Sequence, residues 1–482
     1  RHAAQHGIFP IATDAEAAKQ KVLQEYHDGF MNYQSMEDEP EGKKLLDELT
    51  SKGYVLEFES YQAVRTFLKA NPVLSKLALI VTVKDGVTKY RLILDCRISG
   101  TNDHTKKSER ILLPRAWHII KDAIRLATAR TAGEDVEFLV CDFTDAFYML
   151  PLHASEYKYF VACVGGRFYV WVRVAQGSLN GPNTFGRLAA LVGRCSQGLF
   201  DGDRVRLHIY SDDPIAAIRG TAAERRRSRC VLLMTWLLFG FDLAYHKAQH
   251  GTQVTWIGYD LELHDKFIKA SIKAAFMKDF KQATDEMMKG NIIKTKALRK
   301  YTGQANHVAG LLYIWRPFLE PLWAALHPKT GKKSRAPPHH IWKKQILTSL
   351  QWLQLFLRGH LGPLSREWHY DSFAADVSNV LFLLDASPWG MGGILVVNGR
   401  IVTYFRSLLS HSDELIHKHK IGCNKGQQTW EALAVLVALK LWRDVWMKRK
   451  VSLTLKSDNK AALVLATSLK AKHSRGLIAR EV

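Results

Sequence analysis

Two apolar runs that each stop on an aspartate constrain this chain more than any other feature: Phe138-Leu139-Val140-Cys141 before Asp142, and Leu381-Phe382-Leu383-Leu384 before Asp385. Each run has the length and composition of a buried strand. A carboxylate at the end of such a strand is costly unless it is paired or metal-bound. The chain should therefore be an α+β or α/β protein with two separate sheet regions, and its 482 residues leave room for roughly two to four domains.

The segments around these strands support that outline. Residues 13 to 50 read as helical, opening on a Thr13/Asp14 cap and interrupted near Asp38 to Pro40. The runs LALIVTV and KYRLIL between Leu77 and Leu94 flank Asp85-Gly86, a hairpin signal because glycine accepts positive φ at the turn. A second hairpin signal, Gly165-Gly166, is followed by a helix from about Pro182 to Cys195 and a strand at Val205 to Tyr210. Residues 273 to 326 are mostly helical by pattern, and His327 to Lys344 holds six lysines or arginines, three prolines and no acid, a linker composition. Another helix is expected around Ile341 to Leu357. From Ser378 three short strands, a long helix from Trp430 to Lys448, a strand at Val451 to Lys456 and a further helix make a second α/β region.

Tyr210-Ser211-Asp212-Asp213 adds two consecutive carboxylates. Alone, Asp142 reads as a strand-end cap and the Asp-Asp pair as a turn. Together they suit a pair of magnesium ions about 3.5–4 Å apart, which demand carboxylate oxygens. Neighbouring strand residues face opposite sides, so one of the pair shares a face with Asp142, and Asp212 is the expected one. Pro214 then removes a backbone donor from the returning strand. Lysine and arginine outnumber the acids 68 to 46, a net charge of +22. That charge points to a polyanion, nucleic acid first, although a generally basic soluble protein would show it too. The cysteines at 96, 141, 163, 195, 230 and 423 form no Cys-x-x-Cys pair, which excludes a disulfide scaffold and fits a reducing, intracellular location in cytoplasm and/or nucleus. The longest apolar run, Val231 to Phe241, is about half of what a bilayer helix needs, so no membrane partner is expected. The chain begins at Arg1 with no signal segment and is expected to be cut from a longer one. The residues alone support a magnesium-dependent nucleic-acid enzyme.

The order of these segments resembles retroelement reverse transcriptases of the LTR or tyrosine-recombinase type, as a fragment of a pol polyprotein with a C-terminal ribonuclease H domain. Asp142-Phe143-Thr144-Asp145-Ala146-Phe147-Tyr148, with Pro151-Leu152 behind it, is similar to the first palm motif. Gln176-Gly177, with Pro182 six positions after the glutamine, resembles the second, and the Tyr210 to Asp213 box the third. Lys84, Lys89 and Arg91 with Asp95, Arg97 and Asn102 resemble the fingers motif. Lys247 after Gly240-Phe241 matches a palm lysine, and Trp256-Ile257-Gly258-Tyr259 a primer-grip hairpin.

The resemblance implies a right-hand polymerase of fingers, palm and thumb, followed by a ribonuclease H-like mixed-sheet domain. The implied divisions are a helical extension at 1–55, fingers and palm at 56–268, a thumb-like region at 269–326, a basic linker and connecting helix at 327–375, and the ribonuclease H-like domain at 376–482. It further implies that Asp142, Asp212 and Asp213 are catalytic metal ligands. Arg91 and Lys84 would hold the triphosphate, with Lys247 nearby. Phe147 would be a gate against a 2′-hydroxyl, and Gln176 and Gly177 would approach template and nucleotide closely.

In the second region Asp385, Glu431 at the opening of the long helix, and Asp458 after the strand resemble the ribonuclease H carboxylates; singly they read as a turn, a first-turn acid and a cap. The family's fourth carboxylate would fall beyond Val482, so weak or absent cleavage is expected. His411, His417, His419 and Cys423 match no zinc-finger spacing and read as a solvated basic loop. The implied cofactor is magnesium, two ions per site, with manganese as a substitute. The implied partners are an RNA template, a DNA primer, an RNA/DNA hybrid and deoxynucleoside triphosphates, with no oligomeric state specified. The competing readings are an inactive retroelement remnant that binds nucleic acid, and an RNA-dependent RNA polymerase.

Overall fold

The computed structural model describes residues 23–26, 29–84, 86–106, 110–327, 336–373, 377–447, 451–470 and 475–482. The Thr13/Asp14 cap, Asp85, the Lys84 side chain, residues 328–335 of the linker and the Lys448 end of the long helix lie outside them. The fold mixes helices and sheets in two compact units. One comprises the chain up to Pro114 with Val140–Ala216 and Arg226–Ala248; the other comprises Arg115–Leu139, Ala217–Arg225 and Gln249–Val482. Residues 115–139, expected with the fingers and palm, belong to the second unit because their side chains pack there. The Trp117 and Trp368 rings lie 5.7 Å apart, the Arg130 guanidinium sits 5.6 Å from the Tyr370 ring, and its Nη2 donates to the Asp265 carbonyl at 2.9 Å.

In the first unit, strands Lys76–Lys84 and Val87–Asp95 form an antiparallel hairpin that pairs Leu77 with Leu94 and Leu79 with Leu92. These four leucines are buried, whereas Val81 and Val83 nearer the turn are exposed. The turn is made at Gly86, whose φ of +76° is the conformation the Asp85-Gly86 signal predicts. Residues 23–26 and 29–33 are not helical as the pattern suggested. Their backbone groups bond outward: Leu74 N–H donates to the Gln24 carbonyl at 2.8 Å, and Tyr33 N–H to the Leu77 carbonyl at 3.1 Å. Helices Gln34–Glu37 and Pro40–Ser51 follow, broken at the expected place.

Three strands carry the first acidic residues to their place: β1 (Asp135–Val140), β2 (Val205–Tyr210) and β3 (Asp213–Gly220). Their sheet runs in the order β2-β3-β1, with Gln249–Gly251 at the far edge. Helix Gly181–Gln197 has proline in its first turn, where the missing N–H costs nothing, and buries Phe185, Ala189, Val192 and Ser196 at helical spacing.

In the second unit, helices Ala274–Met288, Thr295–Leu311 and Leu347–Leu357 enclose an aromatic core. Phe280 stacks on Tyr301 at 4.9 Å, and Trp315 on Phe356 at 5.5 Å. A further sheet has β4 (Ser378–Ala386), β5 (Gly390–Val397), β6 (Arg400–Leu408) and β7 (Val451–Lys456) in the order β6-β5-β4-β7. Pairing is antiparallel except for β4 with β7, which is parallel. Helices α1 (Gln427–Leu441), α2 (Lys460–Ser468) and α3 (Arg475–Glu481) share a buried core with it that includes Phe382, Val435 and Leu465. The expected single helix from Trp430 to Lys448 instead ends at Leu441, and Arg443–Met447 is a separate short helix. No helix among the described residues is long and apolar enough to cross a membrane.

Candidate active sites

The segment after β1 is held on both sides. Cys141 N–H donates to the Pro214 carbonyl at 3.1 Å and Phe143 N–H to the Asp212 carbonyl at 2.9 Å, while Ala244 N–H donates to the Asp142 carbonyl at 2.9 Å. The first two bonds fix an antiparallel register in which Asp142 stands opposite Asp213, and directly opposed residues share a sheet face. The expected partner on that face was Asp212; the register sets Asp213 directly opposite Asp142. Strict alternation holds only inside a strand; Ser211 and Asp212 form the turn, with Ser211 at φ +57°, and the strand begins at Asp213. Pro214 is accommodated because its carbonyl still accepts from Cys141, so the pair keeps one of its two bonds.

The Lys247 ammonium donates to Asp142 Oδ2 from the short turn Tyr245–Lys247. Burial, reinforced by the neighbouring charges of Asp212 and Asp142, pushes the Asp213 carboxyl up to about 6. Three carboxylates thus sit close enough to act on one another's charge.

Around them the structure places the other expected residues in the same unit. Phe147 is half-buried in the single turn Ala146–Met149, its ring 5.7 Å from Phe185. Arg91 and Lys89 are exposed on the hairpin. Gly177 has a φ of +117°, and a Cβ there would stand 2.0 Å from the Leu94 carbonyl oxygen, so glycine is required by a close approach to the hairpin strand itself. Leu94 N–H donates to the Gln176 carbonyl at 3.0 Å.

Asn102 clamps the same loop: its Nδ2 donates to the Gly177 carbonyl at 2.9 Å and its Oδ1 accepts from Leu179 N–H at 2.8 Å. Asp95 accepts from the Tyr33 hydroxyl at 2.7 Å and from Arg97 N–H at 3.0 Å. These two residues of the expected fingers motif therefore organise the loop and strand end. In the second unit Ile257-Gly258 is the turn between strands Gln253–Trp256 and Tyr259–Leu263, with the Tyr259 hydroxyl donating to the His307 carbonyl at 2.8 Å.

The second unit holds the other set. One carboxylate oxygen from each of Asp385, Glu431 and Asp458 lies within 4.8 Å of the others, the one metal-sized group of three among the described residues. Strand β4 delivers Asp385, α1 delivers Glu431, and Asp458 follows β7. Glu431 lies one turn inside α1 and is buried, not at the helix opening where the macrodipole would explain it. Burial first, then the charges of Asp458 and Asp385, hold its carboxyl above the usual range, although hydrogen bonds from Gln427 and Ser457 oppose this. Gln427 Nε2 donates to Glu431 Oε1 at 3.1 Å and Ser457 Oγ to Oε2 at 3.3 Å.

Sequence reasoning missed both supports; the four-residue spacing of Gln427 and Glu431 on a helix was the available signal. A cavity of about 660 Å³ beside Asp385 is also lined by Trp389 and Arg406. The histidines at 411, 417 and 419 form no such group with Cys423 among the described residues. His417 is buried with its ring 5.9 Å from that of Trp430, so it packs and is not a loop residue in solvent.

No family model and no curated protein matches the sequence. Among solved structures the chain is similar to a foamy viral protease-reverse transcriptase, dRH, in complex with double-stranded DNA, at 14% identity, covering 98% of this chain and 71% of that one with a TM-score of 0.50. The fold is reverse-transcriptase-like. The foamy viral enzyme in complex with RNA/DNA hybrid gives 13% identity, 98% and 55% coverage and a TM-score of 0.48. In complex with double-stranded DNA it gives 14%, 93% and 88%, and 0.49. At these identities the likeness speaks for the fold, and the first comparison carries it.

Within this reverse-transcriptase-like fold the two acidic sets differ in how they suit a divalent ion. Asp385, Glu431 and Asp458 offer hard oxygen donors at metal-sharing spacing, with Glu431 oriented by two hydrogen bonds. Asp142 and Asp213 oppose one another with Asp212 adjacent, and Asp213 is pushed upward by burial first and then by the charges of Asp212 and Asp142, with Lys247 acting the other way. Both sets offer the hard carboxylate oxygens that magnesium takes, and among the described residues Asp385, Glu431 and Asp458 are the three that stand at metal-sharing spacing.

Proposed function

We propose that the chain is a retroelement reverse transcriptase of the LTR or tyrosine-recombinase type: an RNA- and DNA-directed DNA polymerase with an associated ribonuclease H domain that degrades RNA in RNA/DNA hybrids. The observation that carries the reading is the strand register that sets Asp142 against Asp213, next to Asp212 and under Lys247. In this reading residues 56–268 serve as fingers and palm, 269–326 as thumb, 327–375 as connection and 376–482 as the ribonuclease H-like domain.

Asp142, Asp212 and Asp213 would hold one pair of magnesium ions, and Asp385, Glu431 and Asp458 the other. Magnesium bound at either set supplies activation of an attacking oxygen and neutralisation of charge on the phosphate. The chain's own residues do the rest. Arg91, on the exposed hairpin with Lys84, clamps triphosphate oxygens through the guanidinium fork. Lys247 keeps a cation beside Asp142. The Phe147 ring supports the sugar and collides with a 2′-hydroxyl. Gln427 and Ser457 fix the Glu431 carboxylate. Work inside the cell, in cytoplasm and/or nucleus, belongs to the same reading.

The test is extension of a DNA primer on an RNA template with magnesium and deoxynucleotides, comparing wild type with Asp142→Asn. Wild type should extend and the variant should lose at least about a hundredfold in rate, the scale for removing a group that stabilises the transition state. Binding without synthesis by the wild type would favour an inactive remnant, and preferred use of ribonucleotides an RNA-dependent RNA polymerase.

A further inference from the structure

Four cations gather in the second unit where helix ends meet. Tyr313 is flanked by two guanidiniums: that of Arg316 lies 3.6 Å from the ring centroid and that of Arg366 lies 4.7 Å from it. Arg366 also lies 4.8 Å from the Trp368 ring. Arg316 donates through Nε to the Ala309 carbonyl and through Nη1 to the Ser468 carbonyl, both at 2.9 Å. Arg366 donates to the Leu311 carbonyl at 3.3 Å. Besides burial, the charges of Arg115 and Arg366 hold the Arg316 guanidinium below its ordinary range, and Arg316 and Arg115 do the same to Lys470. Arg115 and Lys470 are exposed.

Part of this cluster has a structural explanation. The carbonyls at Ala309, Leu311 and Ser468 are the C-terminal ends of helix Thr295–Leu311 and α2, and cations are favoured there. Two helix ends supply about one elementary negative charge together, against four positive ones. Among the described residues no carboxylate forms an ion pair with any of the four. Arg115 moreover occupies the N-cap of helix Ala116–Thr128, the end where a cation is disfavoured and an anion welcome. Among the described residues Arg115 and Lys470 thus have no carboxylate partner, and their position beside two arginines already engaged points to an external anion.

We propose that Arg115, Arg316, Arg366 and Lys470 form a phosphate-binding site that takes a backbone phosphodiester of a nucleic acid. The two stacked arginines are fixed by their carbonyl bonds and by Tyr313, and a guanidinium fork carries further N–H groups that can donate to phosphate oxygens. Arg115 and Lys470 supply the outer charge. The inference rests on the reading of the chain as a nucleic-acid enzyme, and its site uses none of the carboxylates described above.

The test measures binding of the full chain to a fluorescent RNA/DNA hybrid by anisotropy across a salt series, for wild type and for Arg115→Gln with Lys470→Gln. Neither side chain makes a described hydrogen bond, so the melting temperature serves as the control for folding and should not fall. The expected result is a log–log salt slope shallower by about 1 and an affinity lower by on the order of three- to tenfold near 0.1 M salt. Inorganic phosphate is added alone in a parallel melting experiment. Equal hybrid slopes for both proteins, with phosphate stabilising only the wild type, would assign the site to free phosphate and overturn the proposal. Equal slopes with no phosphate effect would make the cluster a brace for helix ends and overturn it too. Failure of the wild type to bind hybrid at all would overturn the nucleic-acid reading beneath it.

Discussion

Replacing Gly177 by alanine separates two costs that the structure assigns to one position. At φ +117° an L-residue is strained, by about 1–3 kcal/mol. The added Cβ would stand 2.0 Å from the Leu94 carbonyl oxygen, so the loop and the hairpin strand must part. That parting removes the Leu94 to Gln176 backbone hydrogen bond of 3.0 Å, worth about 1 kcal/mol. The total of about 2–4 kcal/mol corresponds to a fall in melting temperature of roughly 4–16 °C for a unit of this size. Gly165→Ala is the comparison, because Gly165 also has positive φ, at +57°, but nothing within 4 Å of the added atom. It should cost about 1 kcal/mol, a few degrees. Calorimetry of both variants, with primer extension at 25 °C, distinguishes the effects: Gly177→Ala should melt well below Gly165→Ala and lose most extension, while Gly165→Ala extends normally. Equal melting temperatures would refute the close-approach argument.

Three further outcomes follow from the site. The Asp213 carboxyl is raised from 3.8 to about 6, so the native state binds a proton more tightly than the unfolded chain, and its stability falls as pH rises through that window. Asp213→Asn should therefore flatten the metal-free pH profile between about 4 and 6 and gain on the order of 1 kcal/mol at neutral pH, after allowance for solvent screening. A variant that melts like wild type at pH 7 and pH 4 would contradict it. Phe147→Ala should admit ribonucleotides, read as a rise of tenfold or more in their relative incorporation; unchanged sugar selection would remove the gate assignment. Magnesium should raise the melting temperature of wild type more than that of Glu431→Gln, and identical shifts would argue against Glu431 as a ligand.

Much of the fold was legible because its signals are local. The apolar runs ending at Asp142 and Asp385 lie in strands or just past one, and Gly86 and Gly165-Gly166 stand between paired strands. What escaped the sequence depends on partners distant in the chain. The face shared by Asp142 and Asp213 is set by the bonds of Cys141 and Phe143 to residues some seventy positions away, which no alternation rule supplies. Gly177 is a glycine because of Leu94. Residues 23–26 and 29–33 look helical by pattern, but the backbone of Gln24 bonds to Leu74 and Ser99 and that of Tyr33 to Leu77. Arg316 and Arg366 at Tyr313, with Arg115 and Lys470 beside Arg316, come from separate stretches of the chain, so charge counting along the sequence shows no patch.

The central claim is that two separate carboxylate sets run two reactions on one nucleic acid. The direct measurement follows extension of a DNA primer on a labelled RNA template, and cleavage of that RNA, in parallel for wild type, Asp142→Asn and Asp385→Asn. The account predicts that Asp142→Asn abolishes extension and keeps any cleavage the wild type shows on a preformed hybrid, and that Asp385→Asn does the reverse. Extension by Asp142→Asn at the wild-type rate would contradict it.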